Sequence, residues 1–391
     1  MSVCAFLIAY AFVGCAYWLW TLVGAIRVVR SVPMLAESAP PAPAAWPRLS
    51  IIVPACNEAA TLEPALKSIQ RQDYPDLEIV LIDDRSTDGT AEIVDRMAAG
   101  DPRIVALHVQ ELPDGWLGKV HAMELGVRKA NGSWLLFTDA DVYYAPGALR
   151  RAVGYCTHRE IDHLAAIPEM WRSSLLVDAC IALFCRAFAV AMRLWGVADA
   201  KSAAFAGVGA FNLVRGGALE RTRGFQWLRM EVADDMGLGM MLKQSGARCE
   251  LANARGVLGL HWYRTLREMA NGAEKAYASA AQCSLLRTAT LGFTLVALEW
   301  APLAALAGWN VRGLRWSGLA MLAAAVGCSV VFACRWKTRL LPGLLFPVAA
   351  LIAAGIMLRS GWLGFRRGGI AWRGTLYRQE QLLAGRRLKV F

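Results

Sequence analysis

The chain has 391 residues, 56% of them hydrophobic, a mean hydropathy of +0.37 and a formal net charge of +11. This composition excludes a disordered or collagen-like chain and is unusually apolar for a purely soluble enzyme. The charge does not describe a nucleic-acid-binding face. Residues 1–287 carry 29 Lys/Arg and 29 Asp/Glu, residues 288–358 five and one, and the last 33 residues eight and one, so the successive nets are zero, +4 and +7. Positive charge gathered among and after apolar stretches reads as membrane topology, and no nucleic-acid partner is expected.

In chain order, Val3 to Ile26 is a run of 24 residues without a charge, followed by Arg27 and Arg30. It is long enough to cross a bilayer core and lacks the charged start of a signal peptide. The arginines put its C-terminal side in the cytoplasm, giving a signal anchor with the N-terminus outside. Ser38–Pro47 is Pro-rich and reads as an extended linker. Strand and helix then alternate: strands over Leu49–Pro54, Leu77–Ile82, Ile104–Val109 and Trp134–Thr138, and helices over Ala60–Gln70, Thr90–Met97 and Lys119–Lys129. That alternation predicts an α/β unit with a mostly parallel sheet. Leu175–Ala198 is apolar except for Asp178, Arg186 and Arg193, which fall within an arc of about 80° on a helix. It is either an interfacial helix or a buried core helix.

Three more apolar stretches follow, Thr288–Trp309, Trp316–Cys334 and Leu340–Leu358, the first with Glu299 and Pro302 near its middle. A mid-bilayer carboxylate costs roughly 3 kcal/mol, so it faces protein or water or the segment does not span; the charge count favours a segment that lies in the interface or re-enters. Ten positive charges, Arg312, Arg315 and the eight of the tail, then fall on the cytoplasmic side, as the positive-inside rule prefers. The expected organisation is an anchor (1–30), a linker (31–48), a catalytic unit (49–287), C-terminal membrane segments (288–358) and a basic tail (359–391). The ten cysteines show no C-x-x-C pair and no zinc spacing, so they carry no assigned chemistry.

In a parallel sheet, ligands bind beyond the carboxyl ends of the strands. Pro54-Ala55-Cys56-Asn57-Glu58 follows the first strand, Asp83-Asp84-Arg85-Ser86-Thr87-Asp88-Gly89 the second, and Asp139-Ala140-Asp141 the fourth. Each alone is compatible with ordinary turn and cap chemistry; together at three strand ends they indicate function. Neither G-x-G-x-x-G nor a P-loop is present, which excludes a dinucleotide fold and a P-loop NTPase. Converging carboxylates suit a hard divalent cation that also takes phosphate ligands. Lys119 is either a phosphate-facing charge or a solvated residue opening a helix.

These three segments, in this order and spacing, resemble the family-2 glycosyltransferases of the GT-A fold over roughly residues 48–285. The resemblance implies that Pro54, Ala55, Asn57, Glu58, Asp83 and Asp84 serve the nucleobase and ribose. It also implies that Asp139 and Asp234 lie near the nucleotide sugar and that Asp141, with Asp139, holds Mg2+ or Mn2+. The family's later acidic pair has its counterpart in Asp234-Asp235, with Asp235 as general base; the same two residues also suit a helix cap and first turn. Gln-x-x-Arg-Trp of processive synthases is replaced by His261-Trp262-Tyr263-Arg264-Thr265-Leu266-Arg267, which disfavours polymer synthesis. That run, Lys275 and Trp372-Arg373-Gly374-Thr375-Leu376-Tyr377 look more like the glycosyltransferases of lipid pathways (ceramide, carotenoid and hopanoid types). The reading is therefore an inverting, metal-dependent enzyme of the inner membrane, multi-pass, with its catalytic unit in the cytoplasm. It would move a sugar from a nucleotide sugar, a UDP-sugar before a GDP-sugar, to a lipid acceptor. The alternatives are a polysaccharide synthase and a membrane-tethered nucleotide-sugar-binding protein with a degenerate site.

Overall fold

The computed structural model describes residues 3–388, so Lys389, the last cation of the basic tail, lies outside the described residues. Twelve strands occur among them: β1 (Leu49–Ala55), β2 (Leu77–Asp84), β3 (Ile104–Val109), β4 (Trp134–Phe137), β5 (Tyr143–Tyr144), β6 (His163–Ile167), β7 (Glu169–Met170), β8 (Asn212–Arg215), β9 (Cys249–Asn253), β10 (Leu258–Leu260), β11 (Gly369–Trp372) and β12 (Thr375–Arg378). Seven form a mixed sheet in the order β3-β2-β1-β4-β8-β6-β9. β1 runs parallel to both β2 and β4, and β3 is parallel to β2. β8 then enters antiparallel between β4 and β6. The parallel half is the alternation legible in the sequence; β2 runs two residues longer than expected and so contains Asp83 and Asp84.

Near-continuous Leu/Ile/Val runs form β1 and β2 because both faces of the sheet are covered. Successive residues point to opposite faces. Ile52, Val80 and Ile82 meet Val120 and Met123 of the Gly118–Lys129 helix on one side. Ile51, Val53, Ile79 and Leu81 meet Leu62, Leu66 and Ile69 of the Leu62–Gln70 helix on the other.

His163 of β6 is buried at 1% exposure, with Nε2 3.0 Å from Asn212 Oδ1. Burial pulls its pKa down to about 4, against a smaller opposing effect of Asn212. An unfolded histidine binds its proton near pH 6.5, so stability falls as pH drops from that value toward 4. The total loss is about 3 kcal/mol at 1.36 kcal/mol per unit. Thermal unfolding in detergent between pH 7 and 4 is expected to show this, and His163→Gln to flatten the slope.

Four helices are long and apolar enough to cross a membrane: Ala5–Ser31, Leu285–Ala307, Arg312–Trp336 and Phe346–Arg367. The third expected C-terminal stretch is divided between a short Leu340–Leu344 helix and the Phe346–Arg367 helix. The Glu299 segment is an uninterrupted helix whose carboxylate is fully buried. Glu299 pairs with Arg186 at 2.5 Å and accepts a hydrogen bond from Tyr17 Oη at 2.5 Å. The cost that argued against a spanning helix belongs to an unpaired carboxylate facing lipid, and this one faces protein.

The last long helix begins against the middle of the first. Phe346 stacks edge-on against Trp18, midway along the first helix, with ring centroids 5.1 Å apart. At the other end of that helix, Arg367 pairs with Glu274 at 2.7 Å, beside the catalytic unit. The tail therefore emerges on the same side as the catalytic sheet.

The Leu175–Ala191 helix joins the two parts. Val177, Cys180 and Ile181 pack on Ala349, Ala350 and Ala353 of the last long helix. Leu175, Leu176 and Phe184 remain exposed. Arg186 leaves this helix toward the bundle and lies over the Trp18 ring at 4.8 Å.

Candidate active site

β1 lies between β2 and β4, so the loops after β1 and β4 diverge and open a crevice at the carboxyl ends of the strands. A cleft of ≈ 190 Å³ occupies it, lined by Pro54, Ala55, Glu58, Asp84, Lys119, Asp139, Asp141, Lys275, Trp372, Arg373 and Tyr377 among others. Its first wall is a pair of loops tied together. Asn57 has φ 56°, a left-handed conformation that asparagine tolerates. Its side-chain oxygen accepts from Thr87 N at 2.8 Å, and its own N–H donates to Ser86 Oγ at 2.9 Å. Glu58 N donates to Thr90 Oγ1 at 2.9 Å, and Ala59 N to Asp88 Oδ2 at 3.1 Å. Asn57 thus shapes the wall, while Pro54, Ala55 and Glu58 line it.

Asp83 and Asp84, neighbours at the end of β2, point to opposite sides of the sheet. Asp84 lines the cleft, where Arg85 Nε donates to it at 2.8 Å. Asp83 turns toward β3, with Oδ2 3.6 Å from His108 Nδ1, and stays outside the cleft lining.

Lys119 stands in the first turn of its helix, 21% exposed, with Nζ 2.7 Å from Asp139 Oδ1 and 3.3 Å from Asp234 Oδ2. Burial acts to lower its pKa, but the carboxylates of Asp139, Asp234 and Asp235 prevail and hold it well above the ordinary range. The same contact holds Asp139 low against its own burial. Asp141 has no ion-pair partner among the described residues, and burial, Asp139 and Glu58 push its carboxyl up to about 7. A carboxylate destabilised by burial and by like charges, on the rim of a phosphate-sized cleft, fits a divalent cation. Among the described residues no three His, Cys, Asp or Glu side chains close into a metal cage.

Asp234 and Asp235 open the Asp234–Gln244 helix, yet neither is the N-cap, which is Ala233. Asp235 Oδ2 accepts from Gly209 N at 2.9 Å and Oδ1 from Met236 N at 2.8 Å. Burial and Asp234 raise its carboxyl to about 6, against the lowering effect of Lys119. The close approach requires glycine: a Cβ at Gly207 would strike the Asp235 carbonyl, and one at Gly239 the Ala206 carbonyl. The structure therefore brings Asp139, Asp234, Asp235 and Lys119 into one charged cluster: Lys119 and Asp139 line the cleft, and Asp234 and Asp235 line a small adjoining cavity that shares Lys119 with it.

Four residues of the cleft stood outside the expected site. Arg373 pairs with Glu58 and donates to Cys56 O at 2.6 Å. Tyr377 Oη accepts from Gly118 N at 3.2 Å. Lys275 Nζ lies 3.6 Å from the Trp372 ring centroid, and burial brings its pKa down to about 8. The tail signal was the Trp372–Tyr377 run itself, whose place over the cleft follows only from the path of the last long helix.

Residues 50–169 match the family model for glycosyl transferase family 2. A Campylobacter jejuni protein, GalNAc(5)-diNAcBac-PP-undecaprenol beta-1,3-glucosyltransferase, is 40% identical over 103 residues, 26% of this chain and 32% of that protein. A PGL/p-HBAD biosynthesis glycosyltransferase of Mycobacterium bovis is 37% identical over 131 residues, 33% of this chain and 50% of that protein. The chain thus spans a third to a half of the length of these curated relatives. Among solved structures, a mannosyltransferase from Pyrobaculum calidifontis in complex with GDP-Man and Mn2+ is similar in fold. Its TM-score is 0.54 at 20% identity, covering 92% of this chain and 99% of that one. Sheet order and fold similarity agree on a GT-A fold, with residues 50–169 similar to glycosyl transferase family 2 and helices long and apolar enough for a membrane at both ends.

Proposed function

We propose that the chain is a membrane-bound, inverting hexosyltransferase that moves a sugar from a nucleotide sugar to a lipid acceptor. The observation that carries this reading is the meeting of the cleft and its adjoining cavity at Lys119. There a rigidly held carboxyl raised to about 6 (Asp235) lies in one charged cluster with Lys119 and Asp139, beside Asp141 on the rim. Asp139 and Asp141 would hold Mg2+ or Mn2+, which when bound offsets negative charge growing on the departing diphosphate. Pro54, Ala55, Glu58 and Asp84 line the wall for the nucleoside and Asn57 shapes it, while Asp83 is turned to His108 outside it. Lys119 keeps a proton and offers a positive charge at the cleft. Asp235 takes the proton of the acceptor hydroxyl as its oxygen bonds to the anomeric carbon; the carbon–phosphate-oxygen bond breaks, and the nucleoside diphosphate leaves with the electron pair. Attack from the face opposite the leaving group inverts the anomeric centre.

A lipid acceptor fits a cleft tied to apolar helices by the Leu175–Ala191 helix, and it fits the lipid-linked name of the Campylobacter relative. Arg27 and Arg30 favour a cytoplasmic catalytic unit at the inner membrane. UDP is the favoured nucleotide, with GDP the competitor. The test is purified protein with UDP- and GDP-hexoses and a membrane lipid extract, the product identified by mass spectrometry. A new glycolipid that needs Mg2+ or Mn2+ is expected; donor turnover without any lipid product would sink the acceptor assignment. Asp141→Asn is expected to weaken Mn2+-dependent UDP or GDP binding by roughly ten- to a hundredfold, read by calorimetry. Binding without Mn2+ should be unchanged.

A further inference from the structure

The last described residues of the chain reach the acidic turn from behind. Glu231, three residues before Asp234, is buried at 3% exposure, and its carboxylate accepts three backbone N–H groups. Arg387 N and Leu388 N donate to Oε2 at 2.7 and 2.9 Å, and Ala233 N donates to Oε1 at 3.2 Å. Arg387 Nε also donates to Trp227 O at 2.9 Å, and its guanidinium lies 5.4 Å from the centroid of the Trp227 ring. Leu382 and Leu388 join the apolar cluster of Met230, Val232 and Met236. Gly385 lies against the Met230 side chain so closely that a Cβ would collide with it. On the near side of the same segment, Arg229 O accepts from Leu117 N at 2.7 Å, two residues before Lys119.

A buried carboxylate that takes backbone donors from a distant part of the chain is an anchor point, because stranding it costs more than an ordinary hydrogen bond. We propose that Glu231 is a positioning residue. By gripping the backbone of residues 387–388 it makes the C-terminal tail a strap that fixes residues 229–235, and so sets the position of Asp235 beside Lys119. The function of Asp235 as base belongs to the reading above; the strap itself does not depend on it. Tail and acidic turn form one unit, so the loss of either partner releases the same segment. A strap acting on Asp235 leaves the nucleoside wall untouched, because that wall is built from the loops after β1 and β2.

The test uses the full chain in detergent, Glu231→Gln, a chain ending at Gly385, and the two changes combined. Amide hydrogen exchange over residues 229–240 is expected to rise at least tenfold in each single variant and no further in the combination. In turnover of UDP- or GDP-hexose with membrane lipid extract, kcat should fall ten- to a hundredfold, with KM for the donor changed less than threefold. Losses that multiply in the combined variant, or unchanged exchange in the shortened chain, would overturn the strap. The shortened chain keeps the test open if Glu231→Gln fails to fold. Asp235→Asn in the same assay separates the two readings: exchange that rises in the strap variants while Asp235→Asn retains transfer rejects the base and leaves the strap standing.

Discussion

Asp235→Asn is expected to lower transfer by roughly 10²- to 10⁴-fold, the range a positioned general base contributes. The substitution keeps the shape and one acceptor oxygen, so the hydrogen bond from either Gly209 N or Met236 N survives. It removes the only feature the reaction needs there, a site for the acceptor proton. Affinity for UDP or GDP should stay within about threefold, because the nucleoside wall is built from other loops. Single-turnover kinetics with a saturating donor, together with calorimetric nucleotide binding, check both halves. Transfer that survives the substitution would remove Asp235 from the mechanism. Weakened binding with intact turnover would place it on the donor instead.

Arg186→Leu is expected to destabilise the protein by about 3 to 5 kcal/mol, because it leaves a buried carboxylate without its partner. Glu299 has no exposure at all and Arg186 has 5%, so neither can turn to solvent. Tyr17 alone donates one hydrogen bond to Glu299 and brings no charge. Replacing both ends, Arg186→Leu with Glu299→Leu, should recover most of the loss, since a buried ion pair contributes little beyond an apolar pair of similar volume. Thermal unfolding of the single and double variants in one detergent gives the comparison. Additive losses would show that each residue has separate, unshared work.

Much of the parallel half of the sheet was legible, because β1, β2 and β4 are short apolar runs punctuated by turn residues and separated by helices. The acidic segments were legible for the same reason: they stand directly at strand ends. Orientation was not. Nothing in the Asp83-Asp84 pair shows which of the two enters the cleft; that depends on where β2 ends, and it ends two residues later than its apolar run. The antiparallel insertion of β8 was also hidden, because the four residues Asn212–Arg215 carry too little pattern to announce a strand. Glu299 misled because hydropathy scores a residue against lipid, whereas its real surroundings come from residues 17 and 186. Glu231 gave no signal of its own, since two of its three backbone partners lie more than 150 positions away.

The Tyr17–Arg186–Glu299 contact also bears on biogenesis. Synthesis proceeds from the N-terminus, and domains fold as they emerge. Tyr17 and Arg186 are therefore translated before the helix that carries Glu299. Glu299 thus emerges with its counter-charge already made and the unit that carries Arg186 already available to present it. Docking of the Glu299 helix is thereby coupled to completion of the fold that precedes it, so a chain misfolded around Arg186 would also lack the partner its third-from-last long helix needs to settle.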